Sequence, residues 1–180
     1  MNKTIIVING AGGVGKDTLI DAVKEMYVVL NVSAITPITM AARELGWNNA
    51  KDDKSRKFLS ELKQASIAYN DHPTKYLLEK VDRFLMWCAA EDVMFVHIRE
   101  PEEIAKFVDQ VYERYQIRPV TLLVRRKAVK HEYGNTSDDG VENYDYDFVF
   151  DNDLPIKQSG WRFMGVIERI KDNARERRSE

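Results

Sequence analysis

The residues of this chain with the clearest capacity for chemistry lie in the stretch NGAGGVGKDT, residues 9–18, directly after the apolar run Ile5-Ile6-Val7-Ile8. Gly10, Gly15 and Lys16 stand at the spacing G-x-x-x-x-G-K. Glycines so placed let the backbone turn its N–H groups inward around phosphate oxygens, and a helix starting near Lys16 adds its positive end. The lysine meets the terminal phosphates as a mobile point charge. One position departs from this pattern. Such a loop normally sets a hydroxyl directly after its lysine, whereas here Asp17 comes first and Thr18 follows. A carboxylate beside a phosphate chain is repelled unless a cation lies between them. That assigns Asp17 to a magnesium ion, through a coordinated water because Mg²⁺ dehydrates reluctantly. Thr18 then gives its hydroxyl and N–H to a donor phosphate. The alternative is that Asp17 only caps the helix and complements its dipole.

Further candidates lie at the ends of other apolar runs. Arg99 follows Val93–Ile98, and its guanidinium fork suits a phosphate; an ion pair with Glu100 or Glu103 is the competing use. Arg125 and Arg126 follow Val120–Val124 directly. The run KDDKSRK, residues 51–57, offers Lys54, Arg56 or Lys57 to an anionic acceptor, or is a solvated helix start. His97 ends a strand, where it is either functional or simply hydrogen-bonded. His72 and His131 read as surface residues. Cys88 is the single cysteine, which excludes an intrachain disulfide framework and a cysteine zinc cluster; its apolar neighbours mark it as a buried structural thiol.

The elements that must position these groups alternate in type. Ile5–Ile8 reads as a strand buried on both faces. The spacing of Leu19, Ile20, Val23, Met26 and Tyr27 predicts a helix from Lys16. A second strand is expected over Ser33–Ile38, then a short helix from Thr39 to Leu45 stopped by Gly46. A longer helix over 52–68 should bury Phe58, Leu59, Leu62 and Ala65. Pro73 opens a helix that buries Tyr76, Leu77, Val81, Phe84, Leu85 and Cys88. A third strand at Val93–Ile98, a helix at Pro101–Tyr115 and a fourth strand at Val120–Val124 follow. Residues 126–144 are polar, Phe148–Phe150 is a fifth strand, and a helix from Trp161 to Ala174 closes the chain. The alternating aromatics Tyr144, Tyr146, Phe148 and Phe150 read as core packing, and the tail ARERRSE as a frayed, solvated end. Alternating strands and helices imply a parallel sheet covered on both faces, with ligands at the carboxyl ends of its strands.

Composition sets the outer limits. The 180 residues suit one domain, 1–180, and 44% apolar with 31% charged residues describe an ordinary globular chain. A formal net charge of −2, with no basic stripe, argues against a nucleic-acid partner. No run suggests a signal peptide or a membrane span, so a cytoplasmic protein without membrane partners is expected.

The loop GAGGVGKDT resembles that of nucleoside-monophosphate-kinase-like P-loop kinases, and GKDT is most similar to the deoxynucleoside monophosphate kinases. ITMAARELG resembles the family stretch after the second strand, where a basic residue, here Arg43, reaches the acceptor phosphate. FVHIREPEE resembles the third-strand end D-V-R-F-P-N-E, with Arg99, Pro101 and Glu103 matching. YDFVFDNDLP resembles the late strand and a turn whose asparagine, here Asn152, borders the nucleotide base. One departure stands out: His97 occupies the place of the family's aspartate, and a protonated histidine cannot do a carboxylate's work.

The resemblance implies a three-layer α/β P-loop NTPase fold with a parallel five-stranded sheet. It implies an acceptor-binding helical segment at about 39–72 and a lid at about 126–144. The activity it implies is ATP-dependent phosphoryl transfer to a small phosphorylated acceptor, most readily a nucleoside or deoxynucleoside monophosphate, with Mg²⁺ as the second cofactor. Lys16, Arg125 and Arg126 are then catalytic. Gly10, Gly12, Gly13, Val14, Gly15, Lys16, Asp17, Thr18 and Asn152 bind ATP, and Asp17 serves the metal. Arg43, Arg99 and Arg56 bind the acceptor. Two alternatives stay open: a kinase for another phosphorylated metabolite of the phosphomevalonate kind, and a nucleotide-binding module without turnover, which His97 favours. Monomer and homodimer are both compatible with the sequence.

Overall fold

The computed structural model describes residues 3–86, 92–129 and 140–176. Its elements are β1 (Thr4–Asn9), α1 (Lys16–Val23), β2 (Val29–Ser33), α2 (Thr36–Glu44), α3 (Asp53–Asn70), α4 (His72–Met86), β3 (Val93–His97), α5 (Pro101–Tyr115), β4 (Val120–Arg125), β5 (Phe148–Asp151) and α6 (Ile156–Glu176). The five strands form one sheet in the order β2-β3-β1-β4-β5, and every pairing is parallel.

β1 is the central strand, and all six of its residues are buried. Because side chains alternate across a strand, it feeds two cores. Ile6 and Ile8 pack with Leu19, Ile20 and Val23 of α1 and with Phe163, Ile167 and Ile170 of α6. Ile5 and Val7 pack on the opposite face with Leu77, Val81 and Phe84 of α4 and with Ile104, Phe107 and Val111 of α5. Helices thus cover both faces, as a sheet of apolar parallel strands requires. Gly160 lets α6 come close to α1, since a Cβ there would lie 3.2 Å from that of Ala22. Among the described residues no helix is long and apolar enough to cross a membrane.

Several expected boundaries move. The second strand is Val29–Ser33, not Ser33–Ile38, because Pro37 lies in the first turn of α2, where a missing N–H costs nothing. As an edge strand β2 fully buries only Val32, which weakens its apolar signal. Helix α1 ends at Val23; Met26 is 66% exposed, and Tyr27 reaches the core from the following turn. α6 begins at Ile156, ahead of the expected Trp161, which is exposed. Of the four alternating aromatics only Phe148 and Phe150 belong to a strand. Tyr144 and Tyr146 precede it, edge to face at 5.1 Å, against the core under α4 and α5. Cys88, His131 and the end of the tail lie outside the described residues.

The largest correction concerns α3. Its expected apolar face is not buried: Phe58, Leu59 and Leu62 are only partly covered and Ala65 is exposed. The residues it buries are Ser55 and Lys63. Asp52 caps its start by accepting from the Ser55 N–H at 2.8 Å. Lys63 forms an ion pair with Glu100, the residue before α5, and the two side chains are 8% and 11% exposed. The pair ties this helix to the start of α5. Lys63→Ala should therefore destabilise the protein by about 2 kcal/mol, the size of a buried hydrogen bond to a charged group. Urea unfolding of Lys63→Ala, Glu100→Gln and a Lys63→Met/Glu100→Leu double variant checks this, and the double variant should recover most of the loss.

Candidate functional site

The loop after β1 takes its shape from three glycines with positive φ: Gly10 at 139°, Gly13 at 82° and Gly15 at 92°. Two of them are also required by crowding. A Cβ on Gly10 would sit 2.2 Å from the Val124 carbonyl oxygen of β4, and one on Gly15 would sit 2.7 Å from the Asn152 amide nitrogen. Between them Val14 is buried and anchors the loop in the core under α1. The Leu19 N–H bonds to the Gly15 carbonyl at 3.0 Å and starts the helix.

Asn152, expected to border a base, braces the loop. Its N–H donates to the Arg125 carbonyl at 2.8 Å, and its side-chain amide donates to the Val14 carbonyl at 2.7 Å. It also lines a cavity of about 160 Å³, together with Gly15, Thr18, Leu19, Arg126, Leu154, Ile156 and Ser159. Arg126 and Thr18 are its polar rim, and the leucines and Ile156 give it apolar walls.

The Lys16 ammonium folds back on the loop and donates to the carbonyls of Gly10 and Ala11, the latter at 3.0 Å. Asp17 and Thr18 are exposed in the first turn of α1. The N-cap of that helix is Gly15, with no side-chain hydrogen bond, so Asp17 does not cap it. Across the cleft His97 closes β3, in register with Ile8 of β1 and Ser33 of β2. Its Nε2 lies 2.8 Å from the Asn31 side-chain oxygen. An amide oxygen only accepts, so Nε2 carries the proton and donates. Burial lowers the His97 pKa from 6.5 to about 4; Asp17 opposes the shift, and Lys16 and Arg99 add to it. His97, Asp17, Lys16 and Arg99 are thus electrical neighbours.

The remaining arginines are placed less uniformly. Arg99 is exposed beyond β3, and its carbonyl accepts from the Asn9 side chain at 2.9 Å. The two carboxylates near it in sequence hold lysines: Glu100 pairs with Lys63, and Glu103 with Lys106 at 2.8 Å. Arg43 is exposed in the last turn of α2 and donates to the Asn49 side chain at 2.9 Å. Arg56 is paired at 3.5 Å with Asp53 of its own helix, on the solvated face. Arg125 ends β4 and bonds Glu142 at 3.0 Å, while Arg126 turns to the cavity. Residues 130–139 of the expected lid lie outside the described residues. Asn9, Asn31 and Lys63 are the site's neighbours that the sequence did not single out, and Tyr146, read as core packing, reaches the site through Asn9. Asn9 stood beside the motif, but its partners are 90 and 137 residues away and leave no local signal.

No protein-family model matches the chain, and no curated protein matches it by sequence. Solved structures do. The tunicamycin resistance protein of Deinococcus radiodurans superposes with a TM-score of 0.56 at 12% identity, over 92% of this chain and 95% of that one. A gluconokinase from Sinorhizobium meliloti 1021 superposes with a TM-score of 0.52 at 12% identity, over 98% and 97%. Identity this low speaks for architecture alone, and the parallel five-stranded sheet with helices on both faces is the P-loop NTPase fold.

Proposed function

We propose that the protein transfers the γ-phosphoryl group of ATP to a small phosphorylated acceptor, a nucleoside or deoxynucleoside monophosphate. The observation that carries this reading is the loop itself: three positive-φ glycines, two of them crowded against β4 and Asn152, ending in Lys16 at a helix N-terminus. Likeness in fold to a gluconokinase supports phosphoryl transfer as the general chemistry.

Catalysis of this kind is positioning and charge neutralisation. In the proposal the Lys16 ammonium leaves the Gly10 and Ala11 carbonyls for the donor's terminal phosphates, and the loop N–H groups hold the rest. Thr18 and Arg126 border the cavity that receives the donor's base. Arg99 and Arg43 hold the acceptor phosphate, and Arg125 stands at the cleft's edge with Glu142. Arg56 is the weakest of the acceptor candidates, given its pairing with Asp53. Magnesium fits the residues present, because Asp17 offers an exposed carboxylate that makes no hydrogen bond among the described residues. When bound with the nucleotide, the ion supplies neutralising charge to the phosphates.

His97 in the aspartate's place weighs against turnover only if it is charged. With its pKa near 4 it is neutral at neutral pH and adds no positive charge opposite Asp17.

The primary test is ADP formation from ATP with a panel of nucleoside and deoxynucleoside monophosphates, phosphomevalonate and gluconate. Monophosphates should be the substrates; turnover confined to gluconate or phosphomevalonate would replace the proposed acceptor, and ADP from none would leave a binding module. Lys16→Ala should abolish transfer and weaken ATP binding at an unchanged melting temperature. Arg99→Met and Arg43→Met should each raise the acceptor's KM about tenfold to a hundredfold, the size of a lost charge-assisted bond, and leave that of ATP nearly unchanged. Equal losses for both substrates would give these arginines a structural role.

The histidine makes a separate prediction about pH. Its pKa is about 4 folded and 6.5 unfolded, so the unfolded chain binds more protons between those values. Its contribution to stability is complete above pH 6.5 and is lost as pH falls toward 4. His97→Gln should flatten that part of the stability profile, measured by urea unfolding at intervals from pH 4 to 7.5. A slope identical to that of the unsubstituted protein would refute the assignment.

A further inference from the structure

Asn9 is the last residue of β1 and is 1% exposed, yet no step above uses its side chain. Its carboxamide makes three hydrogen bonds. The oxygen accepts from the Gly10 N–H at 2.8 Å. One amide proton goes to the Arg99 carbonyl at 2.9 Å, the other to the Tyr146 hydroxyl at 2.7 Å. The orientation of the amide follows from its partners, since a flipped group would set oxygen against the Arg99 carbonyl. The Tyr146 hydroxyl in turn donates to the Val141 carbonyl at 2.7 Å. Burial pushes that phenol up to about 12, so it remains a donor across the working range of pH.

Three separate parts of the cleft meet at this one side chain. Gly10 opens the phosphate loop, Arg99 follows β3, and residues 141–146 lead into β5. The next residue after Arg99 is tethered as well, through the buried Glu100–Lys63 pair. The Arg99 peptide is thus held from both sides, by Asn9 on its carbonyl and by Lys63 beyond it. The Gly10 N–H is engaged by Asn9, and a Cβ at Gly10 would meet the Val124 carbonyl.

We propose that Asn9 is a positioning residue that fixes the distance between the donor loop and Arg99, with Tyr146 holding its amide in place. The inference rests on the reading that the loop holds the donor and Arg99 the acceptor. A displacement of about 1 Å between reacting groups can cost a hundredfold in rate without altering the affinity of either partner. The signature of such a residue is a fall in kcat that ADP binding does not share.

Two variants test this, assayed for kcat, for both KM values, for the ADP dissociation constant by calorimetry and for melting temperature. Tyr146→Phe keeps the ring and removes the hydroxyl with its bonds to Asn9 and Val141; it should lower kcat about three- to tenfold and leave ADP affinity unchanged, with a small fall in melting temperature. Asn9→Asp keeps the Gly10 bond but sets a carboxylate oxygen against the Arg99 carbonyl, and should lower kcat about a hundredfold. Should Asn9→Asp fail to fold, Tyr146→Phe decides alone. Full kcat in Tyr146→Phe, or an equal loss of kcat and ADP affinity, would overturn the proposal. If the unsubstituted protein phosphorylates no acceptor, the kinase reading fails, and hydrogen exchange without ligand decides the network. Tyr146→Phe must then speed exchange of the Gly10 amide, and an unchanged rate would sink the idea.

Discussion

Gly10 lies so close to the Val124 carbonyl that no side chain fits between them. That contact is possible because β1 runs between β3 and β4, with Asn9 in register with Leu123. A loop leaving the end of such a central strand has neighbours on both sides and a helix above. It is held by Asn152 just after β5, by Val14 in the core and by the first turn of α1. Lys16 lies folded back over the loop, on the Gly10 and Ala11 carbonyls. Burial of β1 on both faces is therefore the condition for a glycine loop of fixed shape. The two cores that flank it, under α1 and α6 and under α4 and α5, serve that condition first.

The electrostatics of the cleft follow from which charges are paired. Lys63, Lys106 and Arg56 are engaged with Glu100, Glu103 and Asp53, so these carboxylates are neutralised where they stand. Asp17 is different: it is exposed, acts on His97 through its charge, and makes no hydrogen bond among the described residues. A neutral histidine opposite it leaves the carboxylate's field available to a cation instead of quenching it. The residue at the end of β3 carries no charge at neutral pH, and the carboxylate near it belongs to α1.

Much of this architecture was legible in the sequence because it is local. The strand, loop, lysine and helix from Thr4 to Val23 are fixed by apolar runs and glycines within twenty residues, and α5 starts and ends where Pro101 and the periodicity place it. The failures share one cause, which is the weakness of pattern at the sheet's edge. β2 buries one side chain fully, and α3 replaces an apolar face with an ion pair whose partner is 37 residues away. No periodicity reports such a contact. Arg43 and Arg56 show the same limit in the site: their types fit a phosphate, but Asn49 and Asp53 compete for them. Asn9 was visible beside the motif, and only Arg99 and Tyr146 give it meaning.

The close approach of Gly160 to Ala22 has a consequence for biosynthesis. The apolar side of α1, made of Leu19, Ile20 and Val23, is covered by α6, whose residues leave the ribosome long after those of the loop. Asn152, which braces Val14, also belongs to this late part of the chain. A nascent chain that has produced only β1 to β4 therefore carries the complete phosphate motif with its helix uncovered on one side. Residues 152–170 must emerge and dock before the loop is braced and the helix covered. A chain stalled before α6 exposes that apolar side of α1, the kind of surface that makes partly folded chains prone to aggregate.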